Sequence, residues 1–153
     1  MFKSIVVGTD GSEGASKAVF AAAELAATQP EAVLHIVTVQ KPLSATALAA
    51  SEMAASVPMA AERGWEQEIK AELEQTLGRA ADTAGRAGDT RIETHARFGS
   101  PAEVLCDIAA HLQADLIVVG NRGMQGGRRL LGSVPNTVSH HAPCSVLIVD
   151  TIE

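Results

Sequence analysis

The sequence predicts an α/β protein, an open parallel sheet with helices on both faces, and three features predict it. Short β-branched apolar runs alternate with stretches of helical period, and each strand–helix–strand step implies a crossover covering one face of a parallel sheet. Two of the runs, Ile5-Val6-Val7-Gly8 and Leu116-Ile117-Val118-Val119-Gly120, are apolar up to a glycine, as strands buried on both faces read. Aromatic residues make up 3% of the chain against 46% hydrophobic residues, many of them alanine, which suits Ala-faced helices packed closely on a sheet.

The first strand, β1, is expected over Ser4–Gly8. Thr9-Asp10-Gly11-Ser12 is turn chemistry with Ser12 placed to cap a helix, and the alanine-rich stretch Glu13–Ala27 reads as α1. Ala32–Val39 reads as β2, closed by Pro42. Residues 43–61 carry no firm period, and Met53 and Met59 read as loose packing. From Glu62 to about Ala87 a helix, α2, places Trp65, Ile69, Leu73, Leu77, Ala80 and Ala84 on one face. Gly78 and Gly85 each cost it about 1 kcal/mol relative to alanine. Arg91–Phe98 reads as β3, with Ile92, Thr94 and Ala96 alternating against Glu93, His95 and Arg97. Ser100-Pro101-Ala102-Glu103 opens α3 with a serine cap, proline at the first helical position and a glutamate placed for a capping box. Val104, Leu105, Ile108, Ala109 and Leu112 form its apolar face. Leu116–Val119 reads as β4, residues 120–133 as a polar glycine-rich loop, about Val134–Ala142 as α4, and Ser145–Val149 as β5. A length of 153 residues fits one domain spanning the whole chain.

The charge balance excludes several function classes. A net charge of −6, with no Lys/Arg run longer than Arg128-Arg129, lacks the basic face that displaces counterions from nucleic-acid phosphates. No apolar stretch reaches the roughly 18 residues of a membrane span. The chain enters β1 directly after Met1-Phe2-Lys3 without signal-peptide architecture, and its two cysteines, Cys106 and Cys144, read as small buried hydrophobes; a cytoplasmic protein is expected.

In doubly wound sheets ligands sit beyond the carboxyl ends of strands where the winding reverses. β1 and β4 both end in glycine and enter unusual loops, so as neighbours they would face one crevice. Gly120, Gly123, Gly126 and Gly127 permit close backbone approach, and the loop leads to a helix start near Ser133-Val134, the chemistry of an anion site. Residues 121–133 carry Arg122, Arg128 and Arg129 and no acid, consistent with a phosphate cradle or with solvated surface arginines. Asp10 is placed either to hydrogen-bond a ribose or adenine amino group or to shape the turn with Gly11. His35, His111, His140 and His141 occupy ordinary strand and helix positions with no ligand expected. The lysine-bearing phosphate loop, Cys-x2-Cys, His-Glu-x2-His and Gly-x-Ser-x-Gly motifs are absent, and no catalytic set is assembled.

Taken together, Ile5-Val6-Val7-Gly8-Thr9-Asp10-Gly11-Ser12, Gly99-Ser100-Pro101-Ala102-Glu103, Ala114-Asp115-Leu116-Ile117-Val118-Val119-Gly120-Asn121-Arg122-Gly123, Leu131-Gly132-Ser133-Val134-Pro135-Asn136 and His141-Ala142-Pro143-Cys144-Ser145-Val146-Leu147-Ile148-Val149 resemble the universal stress protein family. The resemblance covers nearly the whole chain and implies a five-stranded parallel sheet in the order 3-2-1-4-5. The family's nucleotide-binding branch carries Gly-x2-Gly-x9-Gly-Ser/Thr. Gly120, Gly123, Gly132 and Ser133 match it, with eight residues in place of nine between Gly123 and Gly132. The resemblance implies that Asp10 and the backbone around Val39 contact adenine, with Thr9 also among the nucleotide-binding residues. It places Val119, Gly120, Arg122 and Gly123 about the ribose and phosphates, and Gly132, Ser133 and Val134 on phosphate. The implied ligand is ATP, with AMP or cyclic AMP as alternatives and magnesium accompanying the phosphates. A homodimer through Val146, Leu147, Ile148 and Val149 is also implied, and at most a slow ATPase. A member acting through protein contacts alone is the competing expectation.

Overall fold

The computed structural model describes residues 1–42, 59–121 and 131–152. Five strands, β1 (Ser4–Thr9), β2 (Val33–Gln40), β3 (Arg91–Phe98), β4 (Leu116–Gly120) and β5 (Ser145–Val149), form one sheet in the order β3-β2-β1-β4-β5, every neighbouring pair parallel. The helices are α1 (Glu13–Ala27), α2 (Met59–Ala87), α3 (Pro101–His111) and α4 (Ser133–His141). The fold class, the strand order and the element sequence agree with the expectation, and no boundary moves by more than three residues.

The central strands build the core because they are apolar on both sides. Ile5, Val7, Leu34, Ile36, Leu116 and Val118 pack under α1 and α2, where Ala18, Ala22, Ala23 and Ala26 let α1 lie close to the sheet. Val6, Val37, Ile117 and Val119 pack under Leu105, Ile108 and Ala109 of α3 and Val138 of α4. The two faces are thus covered by α1 with α2 and by α3 with α4.

Four local expectations are corrected. Trp65 is 59% exposed, whereas Leu73, Leu77, Ala80 and Ala84 are buried. The reason is length: 29 helical residues span about 44 Å, against about 26 Å for an eight-residue strand, so the start of α2 overhangs the sheet. In β3, Ile92 joins the core but Thr94 and Ala96 are exposed, while Glu93 and His95 are half-buried against β2. β3 is an edge strand of the sheet, and its polar Glu93 and His95 find their partner in His35. Ser100 adopts the N-cap conformation of α3 without a side-chain cap bond; the first turn closes through Val104 N–H donating to Ser100 O at 2.9 Å. Cys106 and Cys144 are free and half-buried rather than buried, packed beside the α3 core, and partial burial pushes both thiols up.

Asp115 ties the start of β4 to β1. Its Oδ2 accepts from Lys3 N–H at 2.8 Å and Ser4 N–H at 3.0 Å, and its own N–H donates to Ser4 O at 2.8 Å. The Ser4 and Lys3 amides hold its carboxyl below the usual range. A depressed folded-state value stabilises the fold above the unfolded value of about 3.9 and loses that contribution as pH falls through the folded one. Asp115→Ala is therefore expected to cost about 1 to 2 kcal/mol at pH 7 and less near pH 3, read by urea denaturation at both. A pH-independent cost would contradict this role.

Candidate functional site

β1 and β4 part early. Their pairing ends at Val7 opposite Val118, while β1 stays with β2 as far as Thr9–Thr38 and β4 with β5 as far as Gly120–Val149. The winding reverses between these two central strands, so their divergence opens a crevice of about 480 Å³ beyond the carboxyl ends, a size suited to a small molecule.

Thr9, Asp10, Val39, Val119, Gly120, Ser133 and Val134 all line this crevice. Gly132 is the N-cap of α4, just before two of those residues. Arg122 and Gly123 lie outside the described residues.

The turn after β1 is built by its own side chains. Gly11 takes φ +79°, a left-handed conformation that favours glycine. Thr9 Oγ1 accepts from Gly11 N–H at 3.2 Å, Asp10 Oδ1 from Ser12 N–H at 3.0 Å, and Ser12 Oγ from Ala15 N–H at 3.2 Å, capping α1. Asp10 thus shapes the turn and faces the crevice at once; the two readings of it are compatible. Gly120 is closely approached: a Cβ there would stand 3.1 Å from Thr151 Cγ2 and 3.4 Å from Gly14 O, so a side chain fits only if Thr151 gives way.

Parallel winding brings the starts of three helices to the same edge. Ser12 before α1, Pro101 of α3 and Ser133 of α4 all reach the crevice. Helix N-termini carry unpartnered amides and the positive end of the dipole. In α4 the first two amides, of Ser133 and Val134, precede Pro135, whose ring leaves no third donor. Lys41 adds a cation to the lining, and Asp10 and Glu72 add carboxylates. Hydroxyls, backbone donors and the apolar walls of Val37, Val39, Leu73 and Leu105 complete a site fitted to a partly apolar, anion-bearing ligand.

Sequence reasoning missed two contributors. α2 was read only as a cover for the sheet, yet Glu72, Leu73 and Thr76 line the crevice. Asn121 was read only as part of the glycine loop, but it joins three segments. Its Nδ2 donates to Asp150 Oδ1 at 2.8 Å, its Oδ1 accepts from Thr151 N–H at 3.0 Å and Thr151 Oγ1 at 2.9 Å, and its carbonyl accepts from Gly132 N–H at 3.3 Å. The lock holds the start of α4 and the segment after β5 against the end of β4.

The chain is similar along its length to known proteins. It is 33% identical to universal stress protein Rv1636 of Mycobacterium tuberculosis over 151 residues, covering 98% of this chain and 97% of the relative. A crystal structure of a universal stress protein in complex with cAMP superposes with TM-score 0.74 at 34% identity, covering 99% of this chain and 98% of the other. A universal stress protein of Archaeoglobus fulgidus in complex with dAMP, 22% identical, has TM-score 0.66 over 97% of this chain and 98% of the other and speaks for the fold alone. The sequence model of the universal stress protein family matches residues 1–150, and with the sheet order and the full-length relative this establishes that the chain belongs to that family.

Proposed function

We propose that the crevice binds an adenine nucleotide and that the protein acts as a cytoplasmic, homodimeric stress-response module. The observation that carries this reading is the site itself: a crevice at the reversal of winding, entered by three helix N-termini, in a chain 34% identical to a universal stress protein crystallised with cAMP. β2 continues past its last pairing with β1, at Thr38, so the backbone of Val39 and Gln40 runs on along the crevice. In this reading Thr9, Asp10 and that backbone hold adenine. Val119, Gly120, Arg122 and Gly123 surround the ribose and phosphates, and Gly132, Ser133 and Val134 hold phosphate. A magnesium ion travelling with a polyphosphate would be carried chiefly by the phosphate oxygens and its own waters, as suits that ion.

The family resemblance names ATP, and the similarity to the cAMP complex sets the cyclic nucleotide beside it. ATP, AMP and cyclic AMP are separable by thermal shift, since a ligand at a hundred times its Kd adds about 2.7 kcal/mol to the folded state. At least one of the three is expected to raise Tm by several degrees. A second reading, contact with protein partners and no nucleotide, draws on the eight-residue spacing between Gly123 and Gly132. It takes over if none of the three shifts Tm at millimolar concentration.

A further inference from the structure

We propose that His35, Glu93 and His95 form a site for one zinc-class transition-metal ion, set between β2 and the edge strand β3 and separate from the nucleotide crevice. No local motif marks it: His35 lies more than fifty residues from the other two, in an ordinary strand position.

The parallel register makes the cluster. His35 stands opposite Glu93, and His95 comes two residues later opposite Val37, so all three side chains share one face of the sheet. Each offers one ligand atom, and these atoms lie within 4.8 Å of one another. His35 Nδ1 is 3.1 Å from His95 Nε2 and 3.5 Å from Glu93 Oε2. Two ligand atoms about 2.0 to 2.1 Å from a tetrahedral zinc are roughly 3.3 Å apart, so both separations are already those of a coordinated pair. Two imidazoles and one carboxylate are a donor set that zinc takes with a fourth position left to water, and Glu93 and His95, only half-buried, leave a side open for it.

The surroundings fix the ligands. Arg91 Nη2 donates to Glu93 Oε1 at 2.9 Å, which leaves Oε2 directed to His35. Burial, the largest influence, pushes both imidazoles down; Glu93 opposes it, while Arg91 acts with it on His35 and Arg97 on His95. Neutral imidazole is the metal-binding form. Without an ion, the two rings share a hydrogen bond whose proton an arriving cation must displace. With one, β3 is fastened to β2 at the outer margin of the sheet. None of the three residues lines the crevice, so the site is independent of the nucleotide reading.

The test uses the full chain without an affinity tag and without nucleotide. Cobalt(II) serves as a visible probe and zinc as its competitor, in the wild type and in Glu93→Gln and His95→Gln. Glu93→Gln keeps an oxygen for Arg91, and His95 is half-buried, so both variants spare the core; unchanged circular dichroism checks this. The wild type is expected to give the intense visible bands of tetrahedral cobalt at one equivalent, to lose them on adding zinc, and to gain Tm with zinc. Each variant is expected to bind at least tenfold more weakly and to lose the zinc-dependent rise in Tm. Absence of tetrahedral bands in the wild type overturns the proposal. So does equal binding by wild type and both variants, which would place the ion on other histidines such as His140 and His141.

Discussion

Ser133→Asp is expected to keep the fold and lose the nucleotide. Ser133 is the first residue of α4, is exposed and lines the crevice. An acidic side chain in the first turn suits the helix dipole by about 0.3 to 1 kcal/mol, so Tm without ligand should hold or rise slightly. The same carboxylate would stand where phosphate is proposed to sit and would repel it. A loss of tenfold to a hundredfold in affinity, about 1.4 to 2.8 kcal/mol, is expected from a titration beside the wild type. The opposite signs on stability and binding distinguish a phosphate site from a helix start that only supports the structure. Unchanged affinity would remove α4 from the proposed site.

Leu147→Arg is expected to turn the proposed dimer into a monomer. β5 is the outer strand beside β4, and no further strand pairs with its other edge among the described residues. Val146, Ile148 and Val149 pack inward on the two cores, but Leu147 remains 39% exposed. An apolar strand left with an open edge invites pairing, and a two-fold axis would pair it with its own copy in a closed arrangement. A guanidinium at the centre of that contact would be desolvated without a partner. Light scattering coupled to size exclusion should give about twice 15.8 kDa for the wild type and one chain for the variant. A wild-type mass of one chain at micromolar concentration would rule out the proposed dimer.

The fold was legible because its signals are local. Continuous apolar runs ending at Gly8 and Gly120, and the capping chemistry of Ser12 and the proline of Ser100-Pro101, lie within a few residues of the elements they specify. The crevice was legible in part for a related reason: a parallel sheet gathers the carboxyl ends of its strands, so the loops after Gly8 and Gly120 would meet if β1 and β4 were neighbours, and it was the family resemblance that made them so. What depends on contact between distant segments was hidden. Helical period could not tell that Trp65 overhangs the sheet, because overhang depends on the length of the strands beneath. The period-two pattern of β3 set Ile92, Thr94 and Ala96 against Glu93, His95 and Arg97, but it carried no sign that His35 waited on the next strand. The bonds of Asn121 to Asp150 and Thr151 span about thirty residues and leave no periodic trace.

Calorimetric titration of nucleotide-free protein with ATP, AMP and cyclic AMP decides whether this crevice holds an adenine nucleotide. Saturable binding of at least one of them is expected at one site per chain, weakened by Ser133→Asp. No binding heat from any of the three at millimolar concentration, from protein shown to be folded, would contradict it.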